Sequence, residues 1–210
     1  MDSYQTIIGS STGEYEEKKS RFIAYLEHVE SEDEALGFID RVKALHPMAR
    51  HHVYAYRLRA ENRVRYSDDG EPQKTAGLPT LTVLEHAVLT DVACVVVRYF
   101  GGTLLGTGGL VRAYTKATQN AVVLARQASF APCRDVIVGV DYPLYEKLSY
   151  QLKAHGIPVV DTAFGQDVTV TVRVLSELVD EVRALVEECC QGRADVIVDD
   201  ERMQLIEALA

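Results

Sequence analysis

The chain has 210 residues, 47% of them apolar and 25% charged, which excludes a fibrous or largely disordered polypeptide and suffices for one large domain or two small ones. No apolar run approaches the ~18 residues of a membrane helix. The opening MDSYQTIIGSS lacks the basic-then-apolar profile of a secretory leader, so no signal peptide is expected, and neither is a membrane partner. The net charge of −9 is unevenly spread: residues 1–133 hold 15 Lys and Arg against 16 Asp and Glu, and residues 134–210 hold 7 against 15. The first two thirds are therefore free to carry a basic surface, whereas the last third is acidic.

Cys94, Cys133, Cys189 and Cys190 form no C-x-x-C, which fits neither a zinc signature nor a secreted disulfide framework. Reduced thiols in a cytoplasmic protein, with no metal and no cofactor, are the expectation.

In chain order, residues 20–29 are rich in aromatic and branched side chains and predict a strand. Ser31 with Glu34 makes a capping box for a helix that buries Leu36, Ile39 and Val42 and stops at Pro47. Residues 52–59 and 64–70 predict a hairpin, and residues 78–88 a helix beginning near Pro79. DVACVVVRYF, residues 91–100, is too continuously apolar for a surface strand and belongs in the middle of a sheet. A glycine-rich loop follows. The next helix is expected from about Leu110 to Gln127, burying Leu110, Tyr114, Ala117, Ala121 and Leu124. The remainder reads strand 134–141, helix 143–155, strands 157–163 and 167–174, helix 176–190 and strand 194–200, a β-α-β-β-α-β order of ferredoxin-like type. The expected fold class is thus α+β, with domains 1–132 and 133–210 meeting near Ala131-Pro132-Cys133.

Three clusters can carry chemistry. In VRYFGGTLLGTGGLVRAYT, residues 97–115, Gly101, Gly102, Gly106, Gly108 and Gly109 separate a buried strand from a helix. Free amides at a helix start favour an anion. Thr107 stands where a phosphate-binding P-loop needs Lys, and Val111 where a dinucleotide fingerprint needs its third glycine, so neither motif is present. Arg98 precedes the loop. Arg112, expected in the first helical turn, and Lys116, four residues later on the same face, oppose the helix dipole there. Such a broken local rule points to contacts with RNA phosphates.

The second cluster, DDGEPQKTAGLP at residues 68–79, offers Asp68, Asp69 and Glu71 either as a structural turn or as acid–base or metal-binding carboxylates. The third, HPMARHHVYAYR at residues 46–57, places His51 and His52 on opposite faces of a strand, where one can approach Asp68 or Asp69. Arg57, Arg59, Arg63 and Arg65, with Tyr54, Tyr56 and Tyr66 among them, predict a basic stripe suited to RNA.

DDGEPQKTAGLP with VVRYFGGTLLGTGGLVRAY, and HPMARHHVYAYR upstream, resembles the YigZ/IMPACT family over essentially the whole chain. The resemblance implies an N-terminal IMPACT domain similar to a ribosomal protein's second domain and to domain IV of elongation factor G, and a ferredoxin-like domain similar to domain V of that factor. It also implies binding and translational control without an established reaction. Eukaryotic relatives, which carry an additional N-terminal binding domain, restrain a starvation-responsive kinase by competing for its activator, and that partnership is not carried over. The expectation is a binding protein of the translation apparatus that contacts RNA or the ribosome, or a protein partner in translation control. Its binding residues are Arg98, Gly101, Gly102, Gly106, Gly108, Gly109, Arg112, Lys116, Asp68, Asp69, Glu71, His51 and His52. The alternatives are a small hydrolase using His51 or His52 with Asp68 or Asp69, and a protein-interaction module. Oligomeric state is open in the sequence.

Overall fold

A computed structural model describes residues 2–206. The chain divides into two compact units, Tyr4–Ser129 and Phe130–Ile206. In the first, β1 (Tyr4–Ile8), β2 (Ser10–Glu17) and β3 (Ser20–His28) precede helix α1 (Glu32–Leu45). The hairpin β4 (His51–Leu58) and β5 (Arg63–Ser67), helix α2 (Gly77–His86), strand β6 (Val92–Tyr99) and helix α3 (Gly106–Leu124) complete it. Strands β2 to β6 form an antiparallel sheet in the order β2-β3-β6-β4-β5.

The continuous apolar run has the position its composition requires. β6 is the central strand, and Val92 to Arg98 are all buried. One of its faces, Val92, Cys94 and Val96, packs with Phe22, Ala24, Val53 and Ala55 against Leu81 and Leu84 of α2 and Leu110, Ala113, Tyr114 and Ala117 of α3. The other face, Ala93, Val95 and Val97, packs against Ala35, Phe38, Ile39 and Val42 of α1. A strand covered on both faces has no use for alternation.

Ser31 caps α1 as expected, its Oγ accepting the Glu34 amide at 3.2 Å, while Glu34 reaches back to the Glu30 amide at 2.8 Å. Leu36, expected inside, is 47% exposed, and the buried set is Ala35, Phe38, Ile39 and Val42. Steps of three drift off the axis of a 3.6-residue helix, so the 35-38-39-42 pattern is the real stripe. In α3, Leu124 is exposed for a similar reason: the stripe proceeds from Ala121 to Ala125, which is partly buried against the core. The helix also starts four residues before its expected beginning. Gly106, Gly108 and Gly109 belong to its first turn, and the left-handed φ of +71° at Gly106 turns the chain into it.

Strand β7 (Arg126–Val140) follows α3 after a single residue and begins well ahead of the expected residue 134. Pro132 lies in it, one position before Cys133 pairs with Leu175, so its missing N–H costs no bond in that pairing.

The second unit continues with α4 (Tyr142–Ala154), β8 (Val159–Phe164), β9 (Val168–Leu175), a turn of 3-10 helix, α5 (Val179–Cys190), β10 (Asp195–Val198) and β11 (Arg202–Ile206). β7 pairs antiparallel with both β9 and β10, and β8 with β9. The order β8-β9-β7-β10 is the ferredoxin-like arrangement expected from β-α-β-β-α-β. Val136, Val138, Val140, Val170 and Val172 pack on Leu148 and Leu152 of α4 and on Val182 and Val186 of α5. All four cysteines are buried and free. No helix among the described residues is long and apolar enough to cross a membrane.

Candidate functional site

The site lies where β6 ends. Antiparallel register sets His51 of β4 opposite Arg98, and Arg98 opposite Phe22 of β3. Directly opposed residues share a sheet face, so this row lies on the face covered by α2 and α3. Arg98 is 8% exposed. Its Nη1 donates to Glu71 Oε1 at 2.7 Å, and the Tyr114 hydroxyl donates to the same oxygen at 2.7 Å. The Arg98 guanidinium carbon lies 5.6 Å and 5.7 Å from the ring centroids of Phe22 and Phe100. Its Nε is buried with no hydrogen-bond partner among the described residues. Burial, then the charge of Glu71 and the hydrogen bond to it, push the Tyr114 hydroxyl far above the ordinary tyrosine range, so it remains a donor.

The acidic turn converges on the same strand end, each carboxylate in a different way. Helix α2 has no side-chain cap of its own at Ala76. Asp68 supplies one from a distance, its two oxygens accepting the amides of Lys74, Ala76 and Gly77 at 2.8–3.0 Å. Asp69 accepts the His52 amide at 2.6 Å through its carboxylate, while its backbone carbonyl receives His51 Nδ1 at 2.8 Å. A carbonyl only accepts, so Nδ1 carries the proton, and in the neutral ring Nε2 is left as an acceptor. The two histidines do face opposite ways. His52 lies 3.9 Å from the Asp69 carboxylate through Nδ1, and its Nε2 meets the His46 carbonyl at 3.0 Å. The orienting partner of His51 is thus a backbone carbonyl, where a carboxylate was expected. Among the described residues no group of three or more His, Cys, Asp and Glu is placed to hold a metal ion.

The five glycines separate into distinct roles. A side chain at Gly101 would meet the carbonyl carbon of Lys19 at 2.1 Å, and one at Gly109 would meet Leu105 Cβ at 2.9 Å, so both serve close packing. Gly102, at φ +89°, and Gly106 turn the chain with open space around them, and Gly108 faces only the end of the Arg112 side chain. No side chain caps the start of α3, and Gly106, Thr107 and Gly108 are exposed. Arg112 lies in the second turn, beyond the expected first. It and Lys116 are exposed, and neither forms an ion pair or hydrogen bond among the described residues.

The expected basic stripe is not there. Arg57 donates to the Leu89 carbonyl, Arg59 pairs with the buried Asp91, and Arg63 is held by Glu32 and Glu61. Arg65 is exposed and reaches only the Val64 carbonyl among the described residues, and the register that sets Arg63 and Arg65 opposite Leu58 and Tyr56 puts them on the other sheet face from Arg57. Sequence reasoning missed Tyr114 as a member of the site. The available signal was a tyrosine in an otherwise apolar helical stripe, whose hydroxyl needs a partner once buried.

Between the start of β4 and the loop after β6 lies a cleft of about 440 Å³ lined by Met48, Arg50, His51, Arg98, Tyr99, Phe100 and Leu104. Met48 is 85% exposed, Phe100 56% and Leu104 83%, giving the opening an apolar rim above a cationic floor.

Every one of these residues falls within residues 18–122, which match the family model of the Impact N-terminal domain, while residues 138–193 match a domain of unknown function (DUF1949). The IMPACT family member YvyE of Bacillus subtilis is 32% identical over 197 residues, 93% of this chain and 91% of that protein. YigZ of Escherichia coli is 43% identical over 125 residues, 58% of this chain and 61% of the relative. An IMPACT family member of Haemophilus influenzae is 49% identical over 114 residues, 53% of this chain and about half (55%) of the relative's length. A solved structure described as that of an hypothetical protein has 31% identity and a TM-score of 0.61, covering 96% of this chain and all (100%) of that one. With the first domain matched across its whole site and one relative aligned over nearly the full length, the chain belongs to the IMPACT family.

Proposed function

We propose that this is a cytoplasmic binding protein of the translation apparatus whose first unit holds backbone phosphates of RNA at the start of α3. Family membership supports a role related to the regulation of translation. The observation that carries the phosphate contact is the uncapped, exposed first turn of α3, with Arg112 and Lys116 standing exposed on the same helix without ion-pair partners among the described residues. Amide groups and the positive end of the helix dipole attract an anion there, and the two cations extend the contact along a strand. The mechanism is recognition without turnover. Binding should weaken linearly in log–log terms with salt, by about 0.7 per phosphate neutralised on a single strand. Arg112→Glu with Lys116→Glu is expected to lower affinity for ribosomes or extracted RNA and to flatten the salt slope by about 1.4, two phosphates' worth. An unchanged slope and affinity in the double variant would overturn the reading.

One observation favours a hydrolytic second reading: His51 is fixed by the Asp69 carbonyl with Nε2 left as the acceptor a general base requires. A screen of phosphoesters and peptides, with and without divalent metal, in which His51→Gln abolishes turnover would establish it. Absence of turnover by the intact protein dismisses it.

A further inference from the structure

We propose that the cleft at the end of β6 is a nucleotide site, in which an unstacked base lies on Phe100 with its hydrogen-bonding edge toward Arg98 Nε and His51 Nε2, and its phosphate toward Arg50. The proposal rests on the reading of the first unit as an RNA-binding module and names what that module takes in.

Three observations carry it. The first is the floor. Arg98 is more than nine-tenths buried, has committed Nη1 to Glu71, and keeps a buried Nε–H with no acceptor among the described residues. A buried donor without a partner is costly in a folded chain, and Arg98 is among the residues that line this cleft. The second is the pairing of roles. His51 spends its Nδ1 proton on the Asp69 carbonyl, so the neutral ring offers an acceptor, across one strand pairing from the Arg98 donor. A phosphate or carboxylate only accepts and would leave Nε2 unanswered. The edge of a nucleobase presents donor and acceptor side by side and answers both.

The third is the rim. Phe100, Met48 and Leu104 are large apolar side chains exposed to solvent at the cleft mouth. An aromatic face of this kind is the platform on which unstacked bases lie, and a thioether packs well against a planar ring. Exposed Arg50 supplies the positive charge beside it. The volume, about 440 Å³, lies within the ~300–1,000 Å³ range of small-molecule clefts.

The same chemistry has two sources, a free mononucleotide or one nucleotide of a single strand. The test titrates the full-length protein with the four 5′-mononucleotides, with inorganic phosphate and with an eight-nucleotide single-stranded RNA. It follows the Arg98 Nε–H resonance by NMR and affinity by calorimetry. The expected result is that at least one mononucleotide shifts the Arg98 signal, that phosphate alone does not, and that Phe100→Ala weakens binding about five-fold or more, as loss of a stacking platform does. Phe100 is exposed, so this variant leaves the core intact. Tighter binding of the octamer assigns the site to a strand, and equal or weaker binding assigns it to a free nucleotide; both support the proposal. It is overturned if no nucleotide moves the Arg98 signal, if phosphate reproduces the shift, or if Phe100→Ala binds as the parent does. Failure of the α3 reading is separable: Arg112→Glu with Lys116→Glu addresses RNA affinity alone, whereas the mononucleotide response depends on neither cation.

Discussion

The substitution Glu71→Gln probes the part of the site on which the rest depends. Glu71 and Arg98 side chains are 3% and 9% exposed, and Tyr114 has no exposed surface. The amide keeps the shape of the carboxylate and an oxygen for the Tyr114 hydroxyl, but it removes the charge that compensates the guanidinium. Removing one partner of a buried ion pair costs about 3–5 kcal/mol, because the other charge is stranded. Tyr114→Phe deletes a single hydrogen bond to a charged acceptor and should cost about 1.5–3 kcal/mol. Both donors use the same oxygen, Oε1, so the double variant should depart from the sum by a coupling of about 0.5–3 kcal/mol. Set against a typical domain stability of about 5–15 kcal/mol, Glu71→Gln removes a large share. Urea unfolding followed by near-ultraviolet circular dichroism, with hydrogen exchange of the β6 amides to assign the loss to the first unit, measures it. A Glu71→Gln penalty under about 1 kcal/mol, with the two changes strictly additive, would falsify the buried network as described.

Gly101→Ala must displace the backbone at Lys19, 2.1 Å from the added carbon, and should lower the unfolding free energy by about 1–3 kcal/mol in chemical denaturation. Gly102→Ala has open space and bears only the strain of φ +89°, about 1–2 kcal/mol, whereas a Gly101→Ala loss under about 1 kcal/mol would contradict the packing assignment. Asp68→Ala strips three amides of their acceptor and should cost about 0.5–2 kcal/mol, with faster exchange at Lys74, Ala76 and Gly77. In the second unit, hydrogen bonds from Arg173 hold the Asp135 carboxyl below the ordinary aspartate value, against the opposing effect of burial, and the Arg202 charge adds to the lowering. The folded value is the lower one, so the stabilisation is complete above the unfolded value near ~3.9 and drains away as pH falls through the folded value. The stability gap between the parent and Asp135→Asn should therefore narrow below about pH 4, and a gap that widens there would reverse the sign of the argument.

Legibility in the sequence followed the length scale of the physics involved. Elements set by local pattern were readable: the central position of β6 from seven consecutive buried residues, the Ser31 cap, and the order of strands and helices in the second unit. What failed was phase and ends. Leu36 and Leu124 each lie one position off a stripe that a three-residue step follows poorly, and the glycines that open α3 disguised its start because glycine is a poor helix former. The site was half legible. Adjacent histidines on a strand must diverge, and they do, but that Asp69 would serve one through its carbonyl and the other through its carboxylate depends on a left-handed residue at φ +42°. The arginine stripe failed because the hairpin register puts Arg63 and Arg65 on the other sheet face from Arg57, and because Glu32 and Asp91, which neutralise Arg63 and Arg59, lie far off in sequence.

The placement of Arg98 explains why these residues belong to one site. Six apolar residues of β6 are buried before it, and a seventh would simply have extended the core. A guanidinium at that position must be compensated, and the compensating carboxylate arrives on a turn that leaves Ser67 and is tied down by Asp68 to the start of α2. That same turn, through Asp69, fixes His51 beside Arg98. The buried charge, the oriented imidazole and the capped helix are consequences of one loop conformation, and disrupting Asp68 should loosen all three together. A variant at Asp68 that frays α2 yet leaves the His51 and Arg98 resonances unmoved would show that the loop is assembled from independent parts.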